Sequence, residues 1–212
     1  ISNILDAGKG GGWLSGQTGL ETGSPRLIRE FMKGKCKPFE PEDWPQVVID
    51  AFEVMASNCW VPCATLIIGL PNETEKDVDL TIDLLEELKN FKSLIVPLFL
   101  VSMGGLKDKT ESFTVEKMTP KQSELFLKCW EHNIHWGQTL LQEYFLTKSR
   151  VKGYGLRFLV SYGINQAKKL IRKCKEDYDY DLATMIQDER SGKIRVGPAP
   201  IRFIYRYLRE SK

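Results

Sequence analysis

Two turns hold the residues whose types and spacing can do chemistry. The first is Thr18-Gly19-Leu20-Glu21-Thr22-Gly23-Ser24. A carboxylate at a strand end, flanked by glycines, can approach a sugar and accept hydrogen bonds from two ribose hydroxyls. The glycines keep side chains out of the way. The helix expected next offers free N–H groups to a carboxylate or phosphate. A merely solvated Glu21 in a tight turn is the competing reading, because glycine so often marks turns. The second is Leu66-Ile67-Ile68-Gly69-Leu70-Pro71-Asn72-Glu73-Thr74. It also closes a strand, at the end where parallel α/β proteins bind ligands. Ile67 can lie against a flat aromatic ligand. Thr65, on the same face by the strand period of two, can reach a polar edge. Core packing is the plain alternative for Ile67.

Other clusters carry less. Cys129, His132 and His135 recur at helical spacing beside Glu131, and ligands one turn apart can share a metal. Short helical His/Cys patterns are prone to false matches, so a packed or partly solvated face is the preferred reading. Cys59 and Cys63 read as ordinary buried thiols. Ile201-Arg202-Phe203-Ile204-Tyr205-Arg206-Tyr207-Leu208-Arg209 interleaves arginines with aromatics. That pattern suits a membrane surface or nucleic-acid bases, but a terminal helix docking on its own protein is preferred. The basic run from Lys168 to Lys175 reads as a solvated face.

The two turns together, in order and 50 residues apart between Gly19 and Gly69, carry a resemblance. The chain resembles the radical S-adenosylmethionine (SAM) superfamily, in particular its cobalamin-associated branch, over roughly residues 10–105. That branch shows a G-x-E-T/S-G-S turn at its fourth barrel strand and a G-L-P-x-E-T turn at its fifth. The resemblance implies that Glu21 contacts the SAM ribose. Ile67 packs on the adenine, with Thr65 nearby and Gly69 ending the strand. Val101, Ser102 and Met103 offer backbone contacts to the adenine, and Ser24 and Arg26 help hold the methionine part or another anionic group. It further implies a 4Fe-4S cluster and an electron donor, a cobalamin domain in some members, and methylation, C–C bond formation or ring formation on a small-molecule or lipid substrate. The family's C-x3-C-x2-C cluster motif is not in this sequence. Cys59 and Cys63 imitate its first half, but the third position is Leu66. The cluster ligands and any cobalamin domain are therefore expected upstream of Ile1. A cysteine triplet roughly 80–120 residues before Glu21 would match three preceding βα units.

Elements must position these turns. Ser24 and Pro25 open a helix as N-cap and first residue. Leu27, Ile28, Phe31 and Met32 line its buried stripe, and Gly34 closes it. Pro41-Glu42-Asp43 announces a second helix, with Trp44, Val47, Val48, Ala51, Phe52 and Met55 at helical spacing. Ala64 to Ile68 reads as a strand buried on both faces. Thr74 and Asp77 cap the next helix. Leu94 to Val101 reads as another strand. This alternation predicts parallel pairing. Thr119 and Gln122 cap a long helix to about Lys148. A turn at Gly153-Tyr154-Gly155, a helix near 156–174, and shorter helices around Asp181–Glu189 and Pro200–Arg209 come next. The expected fold is α/β: the C-terminal half of a partial TIM-type (βα)6 barrel over 1–110, then an all-helical extension over 111–212.

Bulk properties bound the function. The 212 residues are 42% hydrophobic and 27% charged, with net charge +2, so no nucleic-acid partner is expected. No apolar run of about 18 residues is present. Five cysteines without a secretory signal suit a reduced, cytoplasmic chain, with peripheral membrane contact open to the C-terminal helices. The glycine-rich stretch after Ile1 reads as a chain entered mid-domain. A non-catalytic α/β interaction module with a partner- or membrane-binding tail is the alternative function.

Overall fold

The computed structural model of the chain describes residues 12–102, 111–146 and 150–195. The elements in chain order are β1 (Leu14–Glu21), α1 (Pro25–Phe31), α2 (Trp44–Ser57), β2 (Trp60–Ile68), α3 (Glu75–Leu88), β3 (Leu94–Phe99), α4 (Pro120–Leu146), α5 (Arg150–Tyr178) and α6 (Leu182–Arg190). The strands form one parallel sheet in the order β1-β2-β3. The chain is therefore α/β, as the alternation of patterns predicts.

The helices begin where the local chemistry places them. Ser24 Oγ accepts from Leu27 N, and Pro25 sits at the first helical position, where its missing N–H does no harm. Thr74 and Asp77 form a reciprocal capping box on α3. Thr119 and Gln122 do the same on α4. Asp181 caps α6 through Thr184 N.

One face of the sheet is the core. Ala64, Leu66 and Ile68 on β2 and Ile95 on β3 are each 0% exposed. They pack with Phe52 of α2, Val78 and Leu85 of α3, and Phe126 of α4. Each Val, Leu, Ile or Phe among them contributes about 1.5–3 kcal/mol by leaving water. The opposite face is different. Cys63, Thr65 and Ile67 on β2 and Leu94, Val96 and Leu98 on β3 share it by register and are only half-buried. This corrects the expectation of a strand buried on both faces: the helices α2, α3 and α4 cover one side.

β2 is also longer than its apolar run, starting at Trp60 and passing through Pro62. The proline is tolerated because β3 joins β2 only from Cys63, so β2 has a single strand neighbour at Pro62. Pro97 sits on β3, an edge strand, where a lost ladder bond is equally cheap. The outer edge of β3 is occupied by a side chain. Asn133 of α4 accepts from Ile95 N and donates to Ile95 O, both at 2.7 Å.

Two further expectations are corrected. The turn at Gly153–Gly155 is helical, because α5 runs through it unbroken. Two glycines cost about 1 kcal/mol each in a helix, and a long helix buried through Ile171 and Cys174 outweighs that. β3 stops at Phe99 rather than Val101. The helix expected at Pro200–Arg209 lies outside the described residues. Among the described residues, no helix is long and apolar enough to cross a membrane.

Candidate functional site

The site is built from the C-terminal ends of β1 and β2. At the end of β1 the register slips between Gly19 and Glu21, a bulge. Glu21 there takes a left-handed φ of 66°. Bulges re-aim side chains, and this one turns the Glu21 carboxylate back over Gly19. A Cβ on Gly19 would collide with Glu21 Oε1 and with Lys35 Nζ. Gly19 pairs with Thr65, so that direction is also the direction of Thr65 and Ile67. Glu21, Thr65 and Ile67 therefore converge on the half-covered face. The Glu21 side chain is 16% exposed and ion-paired to Lys35 Nζ. Thr65 Oγ1 donates to Thr18 O at 3.4 Å.

The rest of the first turn faces inward. Thr22 Oγ1 lies 3.1 Å from Thr81 Oγ1, which accepts from Gly23 N at 2.9 Å. A Cβ on Gly23 would strike the α3 backbone, 2.5 Å from Leu80 O and 2.7 Å from Thr81 Cα. Only glycine allows this approach.

Ser24 and Arg26 converge on Asp77. Ser24 Oγ donates to Asp77 Oδ1 at 2.5 Å. Arg26 grips the carboxylate with Nε at 3.2 Å and Nη2 at 2.5 Å, and Nη2 also donates to Asn72 O at 2.8 Å. Thr74 supplies two more donors to Oδ2, from N at 2.9 Å and Oγ1 at 2.6 Å. Burial alone would raise the Asp77 carboxyl. The bonds from Arg26, Ser24 and Thr74 outweigh it and hold the group well below the usual carboxylate range. The two turns are thus stitched together beneath the sheet ends.

Gly69 ends β2 with φ +85°, and the Phe113 ring lies where its Cβ would be. Its N–H donates to Glu73 Oε2 at 3.1 Å, and Gln122 Nε2 donates to the same oxygen at 2.6 Å. Burial pushes the Glu73 carboxyl up, against the pull of these two bonds. Gln122 thereby joins the start of α4 to the second turn.

The remaining expected residues are dispersed. Val101 is 57% exposed just beyond β3. Ser102 N donates to Ser112 Oγ at 3.1 Å. Met103 lies outside the described residues. Cys59 is exposed and Cys63 half-buried, so neither is the buried thiol expected. Cys129 is fully buried, and His132 Nε2 is 2.8 Å from Ser93 Oγ while His135 is exposed. Burial, then the nearby His135, lowers the His132 pKa to about 4. This is a packed helix face, and among the described residues no group of three or more His, Cys, Asp or Glu is placed to hold a metal ion.

Sequence reasoning missed Lys35, Thr81 and Gln122 as partners of the turns. Thr74 and Asp77 were visible as a cap, but the reach of Arg26 across 51 positions has no local signal. No protein-family model matches the chain, and no curated protein sequence does.

Proposed function

We propose that the chain is the SAM-positioning portion of a radical SAM enzyme. The observation that carries this is the convergence of Glu21, Thr65 and Ile67 on one half-covered face, at the strand ends where α/β proteins bind ligands. In this reading the three strands are the C-terminal half of a (βα)6 barrel, and α4 to α6 belong to a helical extension. The Asn133 bonds to the edge of β3 support a sheet that ends there and continues beyond β1.

Adenosine fits the residues present. The ribose hydroxyls would replace Lys35 as partners of the Glu21 carboxylate. Ile67 offers a half-buried aliphatic surface to the adenine, and the backbone at Val101 and Ser102 lies beyond the adjacent strand end. Ser24 and Arg26 hold Asp77, so their part is to keep the two turns in register rather than to grip the methionine directly.

The cluster does not fit this chain. Cys59 and Cys63 have Leu66 where a third ligand would stand, so its ligands belong upstream. A 4Fe-4S cluster held by such ligands would supply the reductive chemistry that the resemblance implies. In this reading the residues here would orient SAM. Cobalamin use, methyl transfer or ring formation, and a lipid substrate rest only on the resemblance. The alternative, a non-catalytic interaction module, draws on the half-covered apolar face of Ile67, Val96 and Leu98.

Calorimetric titration with SAM separates the two. Saturable binding that Glu21→Gln weakens about tenfold or more, about 1.4 kcal/mol, is expected. An absence of binding, or equal affinity in the variant, would overturn the proposal.

A further inference from the structure

Between α4 and α5 runs a groove of about 510 Å³, in the size range of small-molecule sites. Its apolar part is Ile134 and Ile171, 8% and 6% exposed. His135 and Gln138 line it from α4, and Lys168 and Arg172 from α5. Lys175 and Glu131 also line it and form an ion pair of 2.6 Å.

Charge in this groove is unevenly compensated. The basic residues of 168–175 are Lys168, Lys169, Arg172, Lys173 and Lys175. Lys173 pairs with Asp177 at 3.0 Å, and Lys175 pairs with Glu131. Lys168, Lys169 and Arg172 make no ion pair among the described residues. Glu176 is the other carboxylate of the groove, and it too makes none among them. Glu176 stands one turn from Arg172, but the groove still carries more cations than carboxylates: Lys168, Arg172 and Lys175 against Glu131 and Glu176. Lys168 and Arg172, one turn apart, border the concavity.

We propose that this groove binds the phosphate group of a small organophosphate. The guanidinium of Arg172 presents a planar fork suited to phosphate oxygens, and Lys168 adds a point charge. His135 and Gln138 can donate from the facing wall. Ile134 and Ile171 take the organic part. The proposal is independent of the SAM reading, since none of these residues belongs to the strand-end site.

The test uses the full chain, with inorganic phosphate and phenyl phosphate titrated at constant ionic strength and followed by amide chemical shifts. Saturable binding is expected, with phenyl phosphate the tighter and shifts centred on 134–138 and 168–175. K168E/R172E should weaken it at least tenfold, and the neutral K168Q/R172Q by less. K33E/K76E, with the same change in net charge at exposed lysines elsewhere, should leave it unchanged. Equal loss in K33E/K76E would mean diffuse charge attraction and overturn the proposal, as would no saturable binding. A vesicle arm identifies the source of the phosphate. Binding to phosphatidylcholine vesicles only when they contain phosphatidic acid, without binding of phenyl phosphate, would assign the basic face to a membrane surface and overturn the groove.

Discussion

Asp77, in the first turn of α3, ties the two strand-end turns together. Its carboxylate is 4% exposed and accepts from Ser24, Arg26 and Thr74. Asp77→Asn removes the charge on which Ser24, Arg26 and Thr74 converge, while Arg26 keeps Asn72 and Glu30 as partners. It sets an amide N–H against one of the converging donors, at a cost of about 1–3 kcal/mol. Urea unfolding at neutral pH measures this. The pH dependence has a definite sign. The Asp77 pKa is depressed on folding, so its contribution is present above the ordinary value of 3.8 and is lost as pH falls below it. His132 acts in a higher window. Its folded pKa of about 4 lies below the ordinary 6.5, so the unfolded chain binds the proton first. Stability therefore falls as pH drops from 6.5 toward 4, by roughly 3 kcal/mol at most. Unfolding curves across that window should show the slope, and His132→Gln should flatten it.

At the scale of elements, the two strand-end glycines separate fold from site. At Gly19 a methyl group meets the far ends of the Glu21 and Lys35 side chains. Gly19→Ala should keep the fold, as judged by its melting curve, while displacing the Glu21 carboxylate and abolishing SAM binding. At Gly69 a methyl group meets the Phe113 ring, in a backbone conformation that L-residues rarely adopt. Gly69→Ala should cost about 1–3 kcal/mol in the same melts. These elements were legible where their signals are local. Ser24, Thr74 and Thr119 mark helix starts by residue type and cap pattern, and all three helices begin there. Gly153 and Gly155 misled because a turn preference is a small local term, overridden within a helix of 29 residues. The extent of cover on the β2 face was also hidden, since an apolar run reads the same whether one face or both are buried. The bulge that aims Glu21 has no sequence mark beyond the glycines around it.

Across the whole molecule, α4 ties the sheet unit to the C-terminal helices. Gln122 reaches Glu73, Lys128 reaches Glu86 at 2.7 Å, Lys92 meets Glu143 at 2.6 Å and Asn133 meets Ile95. On its other side, Glu131 of α4 pairs with Lys175 of α5. None of these long-range bonds was visible in the sequence, because each joins residues with no fixed separation. Asn133→Ala should leave two backbone groups of Ile95 without a protein partner, at a cost of about 2–3 kcal/mol. Hydrogen exchange at the Ile95 amide should quicken before that of the β2 amides.

The same asparagine gives the sheet a polarity of growth. An exposed strand edge is a template for any other extended chain. At Ile95 that template is already filled by a side-chain amide, which satisfies both backbone groups without prolonging the ladder. Among the described residues, no side chain bonds both backbone groups of one β1 residue; Trp44 Nε1 and Thr65 Oγ1 reach only the carbonyls of Leu20 and Thr18. In the proposed reading the open side of β1 is where the preceding strands of the barrel would pair, so the sheet can grow from β1 and not from β3.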